Sequence, residues 1–335
     1  MKILFVCNYN SWSKVAKGIM PSHHLFGVME MIDHFDSPSS AVLKKSFGGG
    51  EIEFVCVCKP TKKQLLELYL KTFRYDVVYD VLNSVSKPFG VLNKFHLFKP
   101  RLVSILHHPP FEKQLRLAKS DCSVFFEEAL MENARKFCSD NREMVVNDWG
   151  PDKAWYDKNK HQWNEEKEFD FLDNGKTNRD HNLFIRCMRK MPDKKGVIVT
   201  DEKHIPSEYR EGENVSLFFQ DKPNDFTMLR LCLKSRVMVV PLIENGCLLG
   251  PIGATSFMDA IALGMPVVTN KCAAFAGKIE KNLLGATFEA NEDDFIQALN
   301  DSLLHFEEYH KNMVQYSFSH SIMQYSERLR TYLLK

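Results

Sequence analysis

The feature that most constrains this chain is an alternation of short apolar runs with segments of helical length, and it occurs twice. In the first half, Lys2–Cys7, Ile52–Cys58, Asp76–Tyr79, Leu102–Leu106, Cys122–Phe125 and Glu143–Val146 read as buried strands. Amphipathic stretches such as Thr61–Phe73 and Glu127–Phe137 lie between them. In the second half the strands are Phe169–Leu172, Gly196–Thr200, Val215–Phe219, Val237–Pro241 and Pro266–Thr269. Helical stretches there are His181–Lys190, Asp225–Lys234, Ser256–Ala262, Glu292–Leu304 and Ile322–Leu334. Strands spaced by helices imply βαβ units, hence parallel sheets covered on both faces. Neither half holds enough units for an eightfold barrel. The expectation is an α/β chain of two Rossmann-like, doubly wound parallel-sheet domains. Ligands of such sheets bind beyond the carboxyl ends of the strands, so two domains facing a cleft would place the site between them.

The join is expected at Asn147–Lys167, which holds Gly150, Pro151, Trp149, Trp155, Trp163 and mixed charge without either period. It reads as a linker. With 335 residues the chain is long enough for about two domains. Its 44 Lys+Arg against 43 Asp+Glu exclude a protein that lives by wrapping nucleic acid, and 44% hydrophobic content excludes disorder. No stretch approaches the roughly 20 apolar residues of a membrane span, and Met1–Asn10 lacks the cleavage site of a secretory signal. A cytoplasmic protein is expected. The nine cysteines are odd in number, and none sit at C-x-x-C spacing. They read as reduced thiols, with Cys56 and Cys58 sharing one face of a strand and pointing into the core; no metal site is expected.

The most specific stretch runs from Glu244 to Thr269, after the strand Val237–Pro241. Gly250 and Gly253 permit tight turns, and Ala254, Thr255 and Ser256 open a helix whose N-terminus offers unpaired amides to a phosphate. Asp259, three residues past Ser256, is expected on a face that looks back to the cleft and accepts bonds from sugar hydroxyls. Taken alone, the loop is equally consistent with the glycine-rich strand-to-helix turn of any α/β protein, with Asp259 suited to the helix dipole.

Asp259-Ala-Ile-Ala-Leu-Gly-Met-Pro-Val-Val268 resembles the E-A-x-A-x-G-x-P-V-[IV] signature of nucleotide-sugar glycosyltransferases of the GT-B fold, in particular glycosyltransferase family four. The resemblance implies that the acidic residue binds the donor ribose and that loop amides hold the diphosphate. The family commonly carries two glutamates separated by seven residues; here Pro251 stands at the first position and Asp259 at the second. Glu244 would substitute only in a remodelled loop.

Gly175-Lys-Thr-Asn-Arg-Asp-His181 resembles the family's first loop in the C-terminal domain, a Gly followed by a basic residue and an Arg-Asp pair. Diphosphate leaving a sugar needs its growing charge neutralised, and Lys176 and Arg179 are the candidates, Gly175 shaping the loop. The alternative is a surface loop in which Arg179 and Asp180 only cap the next helix. In the first half, a strand ends in His107-His108-Pro109-Pro110, and the resemblance implies a His close to the transferred sugar, best matched by His107. Asn8–Gly27, with Lys14, Lys17, Gly18, His23 and His24, occupies the place of the family's Gly-rich loop but lacks the adjacent glycines. Adjacent histidines on a helix diverge by about 100°, which disfavours a metal there.

Residues 1–150 carry 20 Lys+Arg and 16 Asp+Glu, the remainder 24 and 27, so a basic half precedes an acidic one. In the basic half, Lys87–Arg101 interleaves cations with Phe89, Val91, Leu92, Phe95, Leu97 and Phe98. Such a segment suits either an anionic membrane surface or a helix packed on its own sheet with lysines at the rim, the latter being preferred.

The expected layout is an N-terminal acceptor domain (1–150), a linker (151–167), a C-terminal nucleotide-sugar domain (168–318) and a terminal helix (319–335) returning to the N-terminal domain. The expected function is transfer of a hexosyl group from a UDP-sugar or GDP-sugar to a glycan or lipid-linked acceptor, without metal or further cofactor and with retention. Surface polysaccharide or glycolipid synthesis, at the inner face of the membrane, is the setting the family implies. His107, Arg179 and Lys176 form the catalytic set; Gly175, Gly253, Ala254, Thr255, Ser256 and Asp259 bind the donor. The rivals are a non-catalytic homologue, suggested by Pro251, and a nucleotide-sugar epimerase or phosphorylase on the same scaffold. A dinucleotide dehydrogenase is disfavoured, since no G-x-G-x-x-G follows the first strand.

Overall fold

The first sheet is built from β1 (Lys2–Cys7), β2 (Lys44–Phe47), β3 (Gly50–Cys56), β4 (Val77–Asp80), β5 (Arg101–Ile105), β6 (Cys122–Phe125) and β7 (Glu143–Val146). These come from a computed structural model, which describes the chain apart from residues 9, 33–43, 48–49, 82–84, 107–110, 139–141, 163–165, 220–225, 244–249, 251 and 290. The strand order is β2-β3-β1-β4-β5-β6-β7, parallel throughout except for the edge strand β2, which runs antiparallel to β3. Ile3, Leu4, Phe5 and Val6 of β1 are all fully buried, as a central parallel strand covered on both faces requires.

The helices between these strands are α1 (Trp12–Ala16), α2 (Lys62–Thr72), α3 (Ser86–Lys94), α4 (Phe111–Leu117) and α5 (Glu128–Arg135). Thr61 and Gln64 form a capping box that starts α2, each bonding the other's backbone amide. Leu68 of α2 and Phe89 of α3 then pack with Phe98 onto Leu4, Val6, Val78 and Leu102.

The second sheet contains β8 (Phe169–Asn174), β9 (Gly196–Thr200), β10 (Val215–Phe219), β11 (Ser235–Val240), β12 (Val267–Asn270) and β13 (Gly285–Phe288). Its helices are α6 (Lys153–Lys160), α7 (His181–Arg189), α8 (Thr227–Lys234), α9 (Ala254–Leu263), α10 (Ala276–Asn282), α11 (Glu292–Leu304) and α12 (Phe306–Ser319). The order β10-β9-β8-β11-β12-β13 is wholly parallel and is that of a Rossmann sheet, 3-2-1-4-5-6. Phe171, Ile198, Val237, Val239 and Val268 meet Phe184, Met188, Phe295 and Leu299 in its core.

The chain divides into two units, Met1–Gly150 with Ile322–Lys335, and Pro151–Ser321. The last helix, α13 (Ile322–Leu333), thus belongs with the first sheet. Tyr325 is fully buried with its hydroxyl 3.3 Å from that of Tyr79, and Ser326 Oγ donates to the Gly27 carbonyl at 2.7 Å.

Three expectations are corrected. The stretch taken as a structureless linker contains α6, capped by the Asp152 carboxylate on the Trp155 amide. Tyr156 and Asn159 are the buried residues of this eight-residue helix, with Trp155 packed beside them, and the rest is polar, so it has almost no apolar period to read. Cys56 and Cys58 are exposed, because β3 ends at Cys56 and face alternation lapses beyond it. Seven cysteines are free thiols as expected, whereas Cys272 is disulfide-bonded. No helix among the described residues is long and apolar enough to cross a membrane.

Candidate functional site

In the second sheet the strand order reverses between β8 and β11, and the crevice outside their carboxyl ends is where such sheets take ligands. The loops that follow these two strands are those carrying Gly175–Asp180 and Gly250–Gly253. They are tied together by backbone pairing. The Asp180 amide donates to the Pro241 carbonyl at 2.8 Å and the Ile243 amide to the Asn178 carbonyl at 3.1 Å.

Arg179 completes the link with its side chain. Its Nε donates to the Asn174 carbonyl at 3.1 Å and its Nη2 to Ser256 Oγ at 3.1 Å. Ser256 Oγ itself donates to the same Asn174 carbonyl at 3.0 Å. Gly175 makes this possible: its φ is +134°, and a Cβ there would stand 2.9 Å from Arg179 Nε. Burial draws the Arg179 pKa below its ordinary value, against the attraction of Asp173. The guanidinium stays cationic at neutral pH.

The two helix N-termini at the crevice differ. α7 is closed by its own cap, the Asp180 carboxylate accepting the Leu183 amide at 2.9 Å. Asp180 therefore caps, as the plainer reading had it, whereas Arg179 does not. α9 starts from Gly253, which has no side chain to cap with, sits at φ +89°, and would place a Cβ 2.6 Å from Val240 Cγ1. Helix geometry leaves the amides of Ala254, Thr255 and Ser256 without intrahelical acceptors, a cradle for an anion beside Arg179.

Asp259 lies one turn further along α9. Its carboxylate turns inward, nine-tenths buried, and Oδ1 accepts the Tyr156 hydroxyl from α6. Its Oδ2 is 3.5 Å from Asn174 Nδ2. Burial pushes its pKa up to about 7, with the Tyr156 hydrogen bond acting in the opposite direction. Burial and the facing carboxylate raise the Tyr156 phenol well above its usual range.

His181, the first residue of α7, is buried between two acceptors: Nδ1 is 2.6 Å from Asp173 Oδ2 and Nε2 is 2.9 Å from the Gly175 carbonyl. With Asp173 ionised both partners are acceptors, an arrangement that favours the doubly protonated ring. Burial alone would lower its pKa; the Asp173 charge and hydrogen bond outweigh that and raise it.

Asn174 thus gathers Arg179, Ser256 and Asp259 about one strand end, with Gly175 beneath. Lys176 stands apart, exposed and 3.5 Å from Asp201. His107, Pro251 and Glu244 lie outside the described residues. In the first unit His23 is fully buried, its carbonyl accepting Trp149 Nε1 at 3.2 Å, with the His24 ring 4.5 Å away. Burial pushes both imidazoles down, His24 to about 4, so the pair is neutral. Among the described residues no group of His, Cys, Asp or Glu has the placement of a metal site. Asn174, Tyr156 and the Asp173–His181 pair are not legible in the sequence, because the apolar run of β8 stops at Leu172 and α6 shows no helical period. A hollow of about 490 Å³ lined by Lys167, Lys195, Glu213 and Asn214 opens at the amino ends of β8, β9 and β10, the wrong end of the sheet for this site.

No model of a known protein family matches the chain, and no curated protein matches it. Solved structures do. Alr3699/HepE of Anabaena, in complex with UDP and glucose, is 13% identical with a TM-score of 0.68, all of both chains being covered. AviGT4, a glycosyltransferase involved in avilamycin A biosynthesis, is 15% identical with a TM-score of 0.62, covering 100% of this chain and 97% of its own. The UDP-GlcNAc 2-epimerase of Methanocaldococcus jannaschii is 10% identical with a TM-score of 0.58 over all of both chains. At such identities the likeness is one of fold: two Rossmann-like domains of the GT-B type.

Proposed function

We propose that this chain is a nucleotide-sugar glycosyltransferase resembling family four, moving a hexosyl group from UDP-sugar or GDP-sugar to a glycan or lipid-linked acceptor. The observation that carries the reading is the convergence of Arg179 with the uncapped N-terminus of α9 at the switch point between β8 and β11. A fixed cation beside open amides suits the diphosphate of a donor. HepE in complex with UDP and with UDP-glucose lends support on the same fold.

In the proposed reaction the bond between the anomeric carbon and the diphosphate oxygen breaks, and the acceptor oxygen forms the new bond on the same face with retention, its hydroxyl proton passing to the departing diphosphate. The electron pair leaves with the diphosphate. Arg179, the amides of Ala254, Thr255 and Ser256, and Lys176 neutralise that charge without a metal, which is the main contribution to rate. His107 stands near the transferred sugar in this scheme. Asp259 accepts the ribose hydroxyls through Oδ2, since Tyr156 holds Oδ1. The likeness to the epimerase supports a second reading, in which a UDP-sugar is isomerised with no acceptor.

Thermal shift against UDP, GDP, CMP and NAD tests the donor site. Stabilisation by one nucleoside diphosphate that vanishes in Asp259→Ala is expected, followed by acceptor-dependent release of that diphosphate from its sugar. No stabilisation by any of the four removes the donor-site reading. Isomerisation of UDP-GlcNAc without an acceptor selects the epimerase.

A further inference from the structure

The outer face of α2 carries Lys62, Leu66 and Leu70 at successive four-residue steps, so they form one ridge, with Phe73 and Arg74 just beyond the helix end. Leu66 and Leu70 are more than half exposed, at 57% and 59%. The inner side of the same helix is anchored by Leu68 and Thr72. Tyr69 stands between: its ring packs on Phe73, centroids 5.2 Å apart, and its hydroxyl donates to the Leu97 carbonyl at 2.7 Å. That bond fixes the segment after α3 alongside the ridge. There Phe95 and Leu97 are 66% and 58% exposed, while Phe89 and Phe98 of the same stretch are buried in the core. The basic-aromatic stretch therefore divides. Its core half is the packed helix preferred from sequence, and its exposed half joins an apolar strip that the sequence did not associate with α2.

Cations surround the strip. Lys62, Lys63, Arg74, Lys94 and Lys99 are exposed at its edges. Glu67, 3.9 Å away, offsets Lys63, Lys94 Nζ donates to the Arg116 carbonyl at 2.8 Å, and Glu112 is paired with Arg116 at 3.0 Å, so the net positive rim is carried by Lys62, Arg74 and Lys99 together with Lys94. We infer that this face of the first unit docks on an anionic lipid surface, the apolar side chains entering the headgroup region and the basic rim meeting lipid phosphates. Self-association is disfavoured by the same charges, because a two-fold contact would set one basic rim against another. The inference does not depend on a nucleotide donor, so it stands or falls apart from the proposed activity.

Co-sedimentation of the full chain with vesicles tests it, using phosphatidylcholine alone and with roughly one phosphatidylglycerol in three lipids. Binding to the anionic vesicles at low salt, at least tenfold above the neutral ones and reversed by salt, is expected. Leu70→Glu with Phe95→Glu should lower that partition at least tenfold while circular dichroism and melting temperature stay unchanged, both sites being exposed. Phe95→Trp should shift its emission to the blue on vesicle addition. Absence of anionic binding by the wild type, or binding indifferent to the double substitution, overturns the inference. A dimer in solution that Leu70→Glu dissolves would overturn it too, assigning the strip to a second copy of the chain.

Discussion

The Tyr156 hydroxyl donates to the Asp259 carboxylate, joining α6 to α9 at a nine-tenths buried acid. Cys232 and Ala262 lie in the same buried neighbourhood, so little solvent reaches this charge. A helix that looked like linker therefore sets the ionisation of the residue that resemblance assigns to the donor.

This pair makes stability depend on pH. The folded pKa of about 7 stands above the ordinary 3.8, so the native state holds the extra proton across that window. Stability from this group is greatest in acid and declines as pH rises through the window, levelling above it. About three units at about 1.4 kcal/mol each set a ceiling on the order of 4 kcal/mol. Asp259→Asn should remove the decline, gaining over wild type at pH 8 relative to pH 5 in thermal melts. Tyr156→Phe, which deletes the bond that restrains the pKa, should extend the decline to higher pH. Parallel melting curves for wild type and Asp259→Asn would refute the assignment.

Arg179 and Gly175 act together. Arg179→Gln should weaken nucleoside diphosphate binding by about 1.5–3 kcal/mol, the value of hydrogen bonds to charged groups, or tenfold and more in Kd. Lys176→Gln should cost about 0–1 kcal/mol, as expected for an exposed side chain. Gly175→Ala forces φ +134° on a residue with a Cβ and drives that Cβ into the guanidinium, so it should destabilise by about 1–3 kcal/mol and mimic the loss of Arg179. Titration calorimetry with UDP or GDP, with melts of each variant, separates these effects. Equal losses for Arg179→Gln and Lys176→Gln would contradict the geometry.

What the sequence made legible follows from periodicity. β1, β6, β7, β9 and β10 have the bounds expected from their apolar runs; β1, β6 and β9 are paired on both sides and covered on both faces, which leaves no polar face to blur them. α11 is likewise as expected, since its inward face, with Phe295 and Leu299, repeats at helical spacing. α6 and β2 are too short and too polar to show a period, and α12 presents Tyr309, Met313 and Tyr316 among charges that hide the stripe. At the site, Gly253 and the opening of α9 could be read locally. The inward turn of Asp259 could not, because it depends on Tyr156, a residue 103 positions away. Nor could the role of Asn174, whose backbone carbonyl carries the contacts.

His181 gives a pH dependence of the same sign in a higher window. Its folded pKa is raised above 6.5, so the stability it contributes is complete below that value and lost as pH rises through the folded pKa. His181→Gln cannot donate to both Asp173 and the Gly175 carbonyl. It should be destabilised by about 1–3 kcal/mol at pH 6, the difference from wild type shrinking toward pH 9. An imidazole whose proton resonances titrate at or below 6.5 would show that the ring is not the doubly donating imidazolium.

The terminal helix is the largest single contribution to the first unit that lies outside its sequence-contiguous part. Ile322, Tyr325, Leu329 and Leu333 are at most 3% exposed. Four such side chains at about 1.5–3 kcal/mol each bring roughly 6–12 kcal/mol of apolar burial, comparable to the 5–15 kcal/mol by which a whole domain is stable. Arg328 adds a bond from Nε to Asn147 Oδ1 at 2.8 Å, and Asn147 Nδ2 donates to the Tyr325 carbonyl at 3.1 Å. Truncation after Ser321 should therefore unfold the first unit while the second, whose own core is complete without α13, retains a cooperative melt. Gly27→Ala is the milder counterpart, since its Cβ would stand 2.8 Å from Tyr325 Cδ1 at φ +80°. It should lower the first transition of a calorimetric scan and leave the second in place; a truncated chain whose scan matches the full-length one would mean that α13 is not part of that unit.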